Sequence, residues 1–248
     1  VRPHQINSTC ETKSIKGFFL AGQINGTSGY EEAAGQGLVA GLNAARLIQG
    51  EAPIMFGRDQ AYIGVMMDDL VTTTPLEPYR MFTSRAEHRL LLRADNSDER
   101  LTQFGRELGL VCDERWALWE ERKAHLQTIR DQIVELNLGQ FVKKSDTPIV
   151  EIISKMPKSL NPRLIRRVVS DIRYEGYIKR QYAEVKRQAK TENRKVPAGL
   201  CPKSIAGLRN EAVETLETYK PSTLGQASRL AGITPADITL ISIAIERF

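Results

Sequence analysis

A short apolar run, "GFFLAG" at residues 17–22, leads into a polar turn, "QINGTSG" at 23–29, and then into a stretch of small residues, "YEEAAGQGLVAGLNAARLIQG" at 30–50. Bounded by glycine on both sides, the run fits a strand buried in a parallel sheet. One strand is not a sheet, so its partners are expected upstream of Val1 or in another chain. The helix after it is expected to begin near Gly29 or Tyr30, to reach about Ile48 and to stop at Gly50. Glu31 and Glu32 fall in its first turn, where the macrodipole favours negative charge. Its middle carries Ala33, Ala34, Gly35, Gly37, Ala40, Gly41, Ala44 and Ala45. Glycine inside a helix costs about 1 kcal/mol against alanine, so these positions are expected where another backbone or a ligand comes close.

The rest of the chain is mainly helical in pattern. A helix ending near Leu70 is followed by a proline-broken loop, and Ser84 with Glu87 fits the S-x-x-E capping box. "DNSDERL" at 95–101 restarts a helix that Gly109 stops. From Asp113 to about Leu138 the pattern is one long helix, with Leu126, Ile129, Ile133 and Leu136 on one stripe and Trp116 and Trp119 near its start. That stripe is expected to be bundle core. Pro157 and Pro162 punctuate a linker, and a basic helix interrupted only by Gly176 runs from Arg163 to about Glu192. Three short helices follow the "VPAGLCP" break. The expected division is 1–58, the end of a larger domain; 59–162, a linker and helical region; and 163–248, a basic helical domain.

With 248 residues, 41% of them hydrophobic, the chain can build a sizeable core. It has neither a bilayer-spanning apolar run nor an opening signal-peptide pattern, which points to the cytoplasm. Cys10, Cys112 and Cys201 are too scattered for a disulfide framework, and His4, His88 and His125 lack ligand spacing, so no metal site is expected. Net charge is +5, yet residues 163–195 alone hold eleven Lys/Arg against four Asp/Glu, a local +7. The remainder is therefore slightly acidic. Arg166, Arg167, Arg173, Lys179, Arg180, Lys186, Arg187 and Lys190 recur at spacings that put several on neighbouring helical faces, which suits a phosphate backbone. Tyr174, Tyr177 and Tyr182 among them could stack on unpaired bases or sit half-buried in a core.

Two strings are long enough to be specific: "GQINGTSGYEEAAGQGL" and "EPYRMFTSRAEHRLLLRADNSDERL". With "YEGYIKRQ" at 174–181 and "TLGQASRLAGITPADI" at 223–238, they resemble the MnmG (GidA) family of FAD-dependent enzymes that modify the wobble uridine of tRNA. The resemblance covers nearly the whole chain except about 129–159. It implies a mainly α fold class: the C-terminal strand and helix of an α/β FAD-binding fold of the two-dinucleotide-binding-domain kind, followed by an α-helical C-terminal domain. It places the G-x-G-x-x-G fingerprint and the catalytic cysteines upstream, so no catalytic residue is carried onto this chain. The residues carried over for the flavin are Gln23, where aspartate is commoner among such flavoproteins, and the amides of Gly29 and Tyr30. A helix N-terminus there suits the negative charge of reduced flavin. Cys10 stands where the family has a leucine-like residue, and His88 where it often has tyrosine.

The resemblance further implies NADH and methylenetetrahydrofolate as co-substrates, a homodimer, tRNA as substrate and the GTPase MnmE as partner of the C-terminal helices. Arg85 and Arg89 are expected to share a helix face suited to tRNA phosphate. Along with Arg80 and Arg93, they could equally pair with Glu77, Glu87, Asp95 or Asp98. "ITLISIAI" at 238–245 is too apolar for a groove-reading helix, so it is expected to be buried or to dock on a protein. Two rivals remain: the folate- and FAD-dependent tRNA uridine C5-methyltransferase, which lacks the long helical extension, and a non-enzymatic adaptor module. On its own the chain is expected to be catalytically dead, to bind FAD poorly and to keep tRNA and partner binding.

Overall fold

A computed structural model of the chain describes residues 2–73, 77–197 and 199–248, without the side chains of residues 188 and 190. Residues 74–76 of the proline-broken loop, Val1 and Ala198 thus lie outside the described residues, as does the Lys190 side chain. The chain divides into two units, Val1–Glu87 with Glu184–Phe248, and His88–Ala183. This differs from the three segments expected from the sequence. The basic helix crosses the division, and the 59–162 segment contributes to both units.

In the first unit, the pairing of "GFFLAG" among the described residues is local. Phe19 makes a single antiparallel bridge with Glu11, held by Thr12 N–H to the Phe18 carbonyl (2.8 Å) and Leu20 N–H to the Cys10 carbonyl (2.9 Å). Left-handed Gly17 and Gly22 close the run at both ends. Among the described residues β-pairing is confined to isolated bridges. Helix α1 spans Tyr30–Gln49, and left-handed Gly50 stops it as expected, donating to the Arg46 and Leu47 carbonyls. α2 spans Tyr62–Thr73 and is buried along most of its length. Val39 of α1 packs with Met66, Met67 and Leu70 of α2, Tyr79 and Cys10.

The small residues of α1 serve two different surroundings. A Cβ on Gly35 would lie 3.3 Å from Ile63 of α2, whereas Gly37 and Gly41 have nothing within 4 Å. After α2, the S-x-x-E box expected of Ser84 and Glu87 is replaced by a 3-10 turn, Thr83–Arg85, and Glu87 is taken by Arg58 at 2.7 Å.

The same unit holds the C-terminal helices. In order these are α8 (Asn210–Tyr219), α9 (Leu224–Arg229) and α10 (Pro235–Arg247), numbered after the helices of the second unit given below. Thr234 caps α10 with Asp237 in a reciprocal capping box and Pro235 at the first helical position. Ile205, Leu216, Leu224, Ala227, Leu230 and Ile241 form the bundle core. "ITLISIAI" is only partly buried there: Ile241 is enclosed and Ile243 is exposed.

The second unit contains α3 (Ser97–Glu107), α4 (Asp113–Glu135), α5 (Gly139–Lys143), α6 (Ile149–Lys155) and the first two-thirds of α7 (Pro162–Glu192). Pro162 is not a linker residue but the first residue of α7. Asn161 caps the helix by accepting the Arg163 N–H at 2.9 Å. The core joins Leu126, Ile129 and Ile133 to Val142, Ile152, Leu164, Ile165, Val168 and Val169. Leu136 is exposed instead of joining the stripe, because α4 ends at Glu135. The rings of Trp116 and Trp119 stack 4.5 Å apart, with Arg106 over the first and Lys123 over the second. Gly176 does not interrupt α7; it lies inside the helix with nothing within 4 Å.

Candidate functional site

The turn at 22–29 is built by one buried side chain. Gln36, one and a half turns into α1 and fully enclosed, accepts the Gly22 N–H at 2.7 Å and donates to Thr27 Oγ1 at 3.2 Å. It thereby staples both ends of the turn to α1. Gly22–Asn25 is a 3-10 turn closed by left-handed Gly26, where a Cβ would lie 2.9 Å from Pro3. Gln23 is exposed on this turn, and Tyr30, the first residue of α1, is 92% exposed. Asn25 is buried, and neither of its amide atoms has a hydrogen-bond partner among the described residues.

Gly29 is the N-cap of α1, a twenty-residue helix, and supplies no side-chain cap, while the Glu32 carboxylate takes up its own backbone N–H in the first turn. Glu32 shares that end of the helix. A Cβ on Gly29 would meet Glu32 Oε2 at 1.8 Å, so a side chain there would displace the Glu32 carboxylate. Glu32 Oε1 accepts the Met81 N–H at 2.9 Å and lies 3.4 Å from Arg80 Nε. The Met81 amide is the main reason that the Glu32 carboxyl sits below its ordinary value, against the effect of burial.

Those contacts bring in a second segment. Tyr79 pairs with Thr27 in a parallel bridge, its N–H donating to the Gly26 carbonyl at 2.8 Å. Its hydroxyl donates to Asp69 at 2.8 Å, and the Arg85 guanidinium lies over its ring at 4.7 Å. Arg80 and Arg85, both exposed, therefore belong to the rim of the same turn. Arg58 anchors this rim from beneath, binding Asp68 (3.0 Å), Asp69 (2.6 Å) and Glu87. No local pattern marks Glu32, Thr27, Gln36 or Arg58 for these roles. A glutamine in the middle of a small-residue helix is the one signal that could have marked Gln36.

Arg85 and Arg89 do not share a helix. Arg85 ends the 3-10 turn Thr83–Arg85, and Arg89 lies in a turn of the other unit; both are exposed. Of the expected ion pairs, Arg93 does bind Asp95 at 2.9 Å, but Glu87 and Asp98 pair with Arg58 and Arg122.

Along α7 the basic residues separate into two groups. Arg167 is 5% exposed, donating to Glu99 and Asp171 and, through Nε, to the Asp95 carbonyl at 2.9 Å. Arg173 donates to the carbonyls of Val142, Lys144 and Thr147 around the end of α5. Both guanidinium groups are thus committed inside the protein. Arg166, Lys179, Arg180, Lys186 and Arg187 are exposed. Tyr174, Tyr177 and Tyr182 are exposed as well, at 41%, 56% and 55%, which removes the core alternative for them. Arg180 lies over the Tyr177 ring at 4.8 Å.

None of the cysteines is placed as a nucleophile in a site. Cys10 is enclosed, its thiol facing the Gln36 carbonyl and Met67 Sδ, and burial pushes its pKa up to about 12. Among the described residues no group of three His, Cys, Asp or Glu is placed to hold a metal ion, and no helix is long and apolar enough to cross a membrane.

Two family profiles match the chain: "Glucose inhibited division protein A" at residues 1–52, and "tRNA modifying enzyme MnmG/GidA C-terminal helical bundle" at residues 184–248. The chain is 40% identical, along its full length, to the tRNA uridine 5-carboxymethylaminomethyl modification enzyme MnmG of Ligilactobacillus salivarius (strain UCC118), of which it covers 43%. It is 42% identical over 99% of its length to the enzyme of the same name from Streptococcus sanguinis (strain SK36), again covering 43%. Its fold is similar to the Aquifex aeolicus GidA structure in the form II crystal, with a TM-score of 0.82, 40% identity, and coverage of 99% of this chain and 42% of that one. The chain spans less than half the length of the relatives it matches.

Proposed function

We propose that the chain, whose residues 1–52 and 184–248 match the GidA and MnmG/GidA profiles, is the C-terminal part of a GidA-family, flavin-dependent tRNA-modifying enzyme acting on the wobble uridine. The observation that carries this reading is the 40% identity along the entire chain to a protein named for that modification. The geometry agrees with it in two places.

The first is the turn at 22–29. An orphaned buried amide at Asn25 and a helix whose N-cap, Gly29, supplies no side chain fit a segment that completes its contacts with a ligand. Gln23 and the Gly29 and Tyr30 amides would hold FAD, with Arg80 and Arg85 at the rim. When bound, the flavin supplies redox chemistry, which in this family connects methylenetetrahydrofolate and NADH to the uridine. The chain's own residues bind and orient: Gln36 fixes the turn, and the α1 amides offer partial positive charge where negative charge develops. Glu32 keeps Arg80 and the Met81 backbone against the helix end.

The second place is the exposed half of α7. Arg166, Lys179, Arg180, Lys186 and Arg187 track the tRNA backbone, with Arg85 and Arg89 as further contacts, and Tyr177 and its neighbours offer faces to unpaired bases. Arg167 and Arg173 shape this surface from within. The C-terminal helices α8–α10, with Ile243 and Phe248 exposed, dock the GTPase partner MnmE. The complete enzyme works as a cytoplasmic homodimer.

The test is tRNA binding by the chain, followed by fluorescence anisotropy over a range of salt. Lys179→Glu with Arg180→Glu and Arg187→Glu is expected to weaken binding and to lower the salt slope by about 0.9 per lost phosphate contact. Binding that is unaltered by the triple reversal would refute the α7 surface. The flavin half is checked in the longer protein, where Gln23→Ala is expected to reduce the flavin absorbance retained on purification; full retention would refute Gln23.

A further inference from the structure

A line of ion pairs and hydrogen bonds runs from the C-terminal bundle to the turn at 22–29, all of it inside the first unit. It starts at the end of α9, where Arg229 Nη2 donates to Asp68 Oδ1 at 3.0 Å and Nε lies 2.6 Å from Asp68 Oδ2. The same guanidinium holds Glu192 at 2.7 Å, and a Cβ on Gly225 would meet that carboxylate, so α9 and the end of α7 fix the arginine together. On α2, Asp68 takes a second arginine, Arg58, at 3.0 Å, and Asp69 accepts the same Arg58 Nη1 at 2.6 Å. The other oxygen of Asp69 accepts the Tyr79 hydroxyl at 2.8 Å. Tyr79 is the joint to the turn: its N–H reaches the Gly26 carbonyl, and two residues on the Met81 N–H reaches Glu32. Asp68, Asp69 and Tyr79 are buried, so water does not stand in for a lost partner.

Two guanidinium groups face four carboxylates along this line: Asp68, Asp69, Glu87 and Glu192. That shortage of positive charge makes their attachments interdependent. While Arg229 neutralises Asp68, Arg58 Nη1 lies closer to Asp69 than to Asp68. With Arg229 withdrawn, Asp68 keeps Arg58 as its one cation among the described residues, and draws that nitrogen away from Asp69. Asp69 is the acceptor that orients Tyr79. Burial and then the Asp69 charge push the Tyr79 phenol up, which keeps it a donor in this bond.

We propose that Arg229, although it belongs to the C-terminal bundle, is a positioning residue for the turn at 22–29, acting through Asp68, Arg58, Asp69 and Tyr79. The bundle thereby sets the place of the turn that meets the ligand, besides presenting a docking face. This deepens the reading of the turn given above and rests on it for the identity of the ligand, though not for the coupling itself.

The experiment is amide exchange of the chain, followed residue by residue. Arg229→Met is expected to speed exchange of the Tyr79 and Met81 amides about tenfold, while residues 39–46 of α1 keep their rates. Adding Asp68→Asn removes the uncompensated charge and returns Arg58 to Asp69, so the double variant is expected to restore both amides to nearly wild-type rates. A simple loss of packing at α9 has no such rescue. Unchanged Tyr79 and Met81 exchange in Arg229→Met, acceleration that the double variant keeps, or an equal rise along α1 overturns the proposal. In the longer protein, the flavin absorbance retained on purification is expected to fall with Arg229→Met and to recover in the double variant. Full flavin retention alongside rescued exchange upholds the coupling and counts against the flavin reading of the turn.

Discussion

A methyl group added to Gly64 would lie 2.2 Å from the Gly57 carbonyl oxygen and 2.7 Å from that of Phe56. Both are backbone atoms and cannot swing aside. Gly64→Ala is therefore expected to destabilise the chain by about 2–3 kcal/mol, as overpacking does, measured by urea denaturation. Gly37→Ala, in the open interior of α1, is expected to stabilise it by about 0.5–1 kcal/mol in the same assay. Residues of one type in neighbouring helices thus carry opposite constraints. Their sequence contexts do not separate them, because a close approach is made by a distant segment. Gly29 differs from Gly64: what a side chain would meet there is the tip of the Glu32 side chain and not backbone.

Helix limits were the most legible feature of the sequence, because capping is local. Gly50 stops α1, Gly109 follows α3, and Thr234, Pro235 and Asp237 start α10, each where the residues themselves require it. The 3-10 turn at 83–85 was hidden, since Arg58 takes Glu87 from a distant segment. The candidate site divides in the same way. The turn at 22–29 and the exposed part of α7 could be found from residue type, but the joining of Tyr79–Met81 to α1 could not. Arg167 is the clearest case, a basic residue in a basic run that is held by Glu99 from 68 positions away.

Arg167→Ala is expected to cost about 3 kcal/mol, because it leaves Glu99 and Asp171 short of a partner in a partly buried network. Exposed Arg166→Ala is expected to change stability by no more than about 0.5 kcal/mol, so urea midpoints of the two variants separate the roles. In α10, Asp237 is enclosed, and Arg209 first, then Thr234, hold its carboxyl well below the usual carboxylate range. Its folded value is depressed, so its stabilisation is present above about pH 4 and is lost as pH falls further. Asp237→Ala is expected to cost about 1–2 kcal/mol at neutral pH, and to narrow its gap from the wild type in acid. A gap that stays constant in denaturation curves between pH 7 and pH 3 would contradict this account.

Across the molecule, the first unit is assembled from both ends of the chain. Gln226 Nε2 donates to Ser8 Oγ at 3.0 Å, Lys13 reaches Tyr219, and Arg229 binds both Asp68 and Glu192. The second unit is continuous and has a core of its own. Truncation after residue 183 is therefore expected to remove amide-exchange protection from residues 2–73 while protection in residues 97–172 persists. Equal loss in both regions would show that the second unit cannot stand without the first.

The chain contains two tryptophans, and both lie in the stacked pair on α4. Intrinsic emission excited at the red edge is consequently a reporter of one unit alone. Melting of the turn at 22–29 or of the C-terminal bundle passes without changing that colour directly. A fluorescence trace that looks two-state is then a half-view of the protein, and only a second, unit-specific dye would make the other half visible.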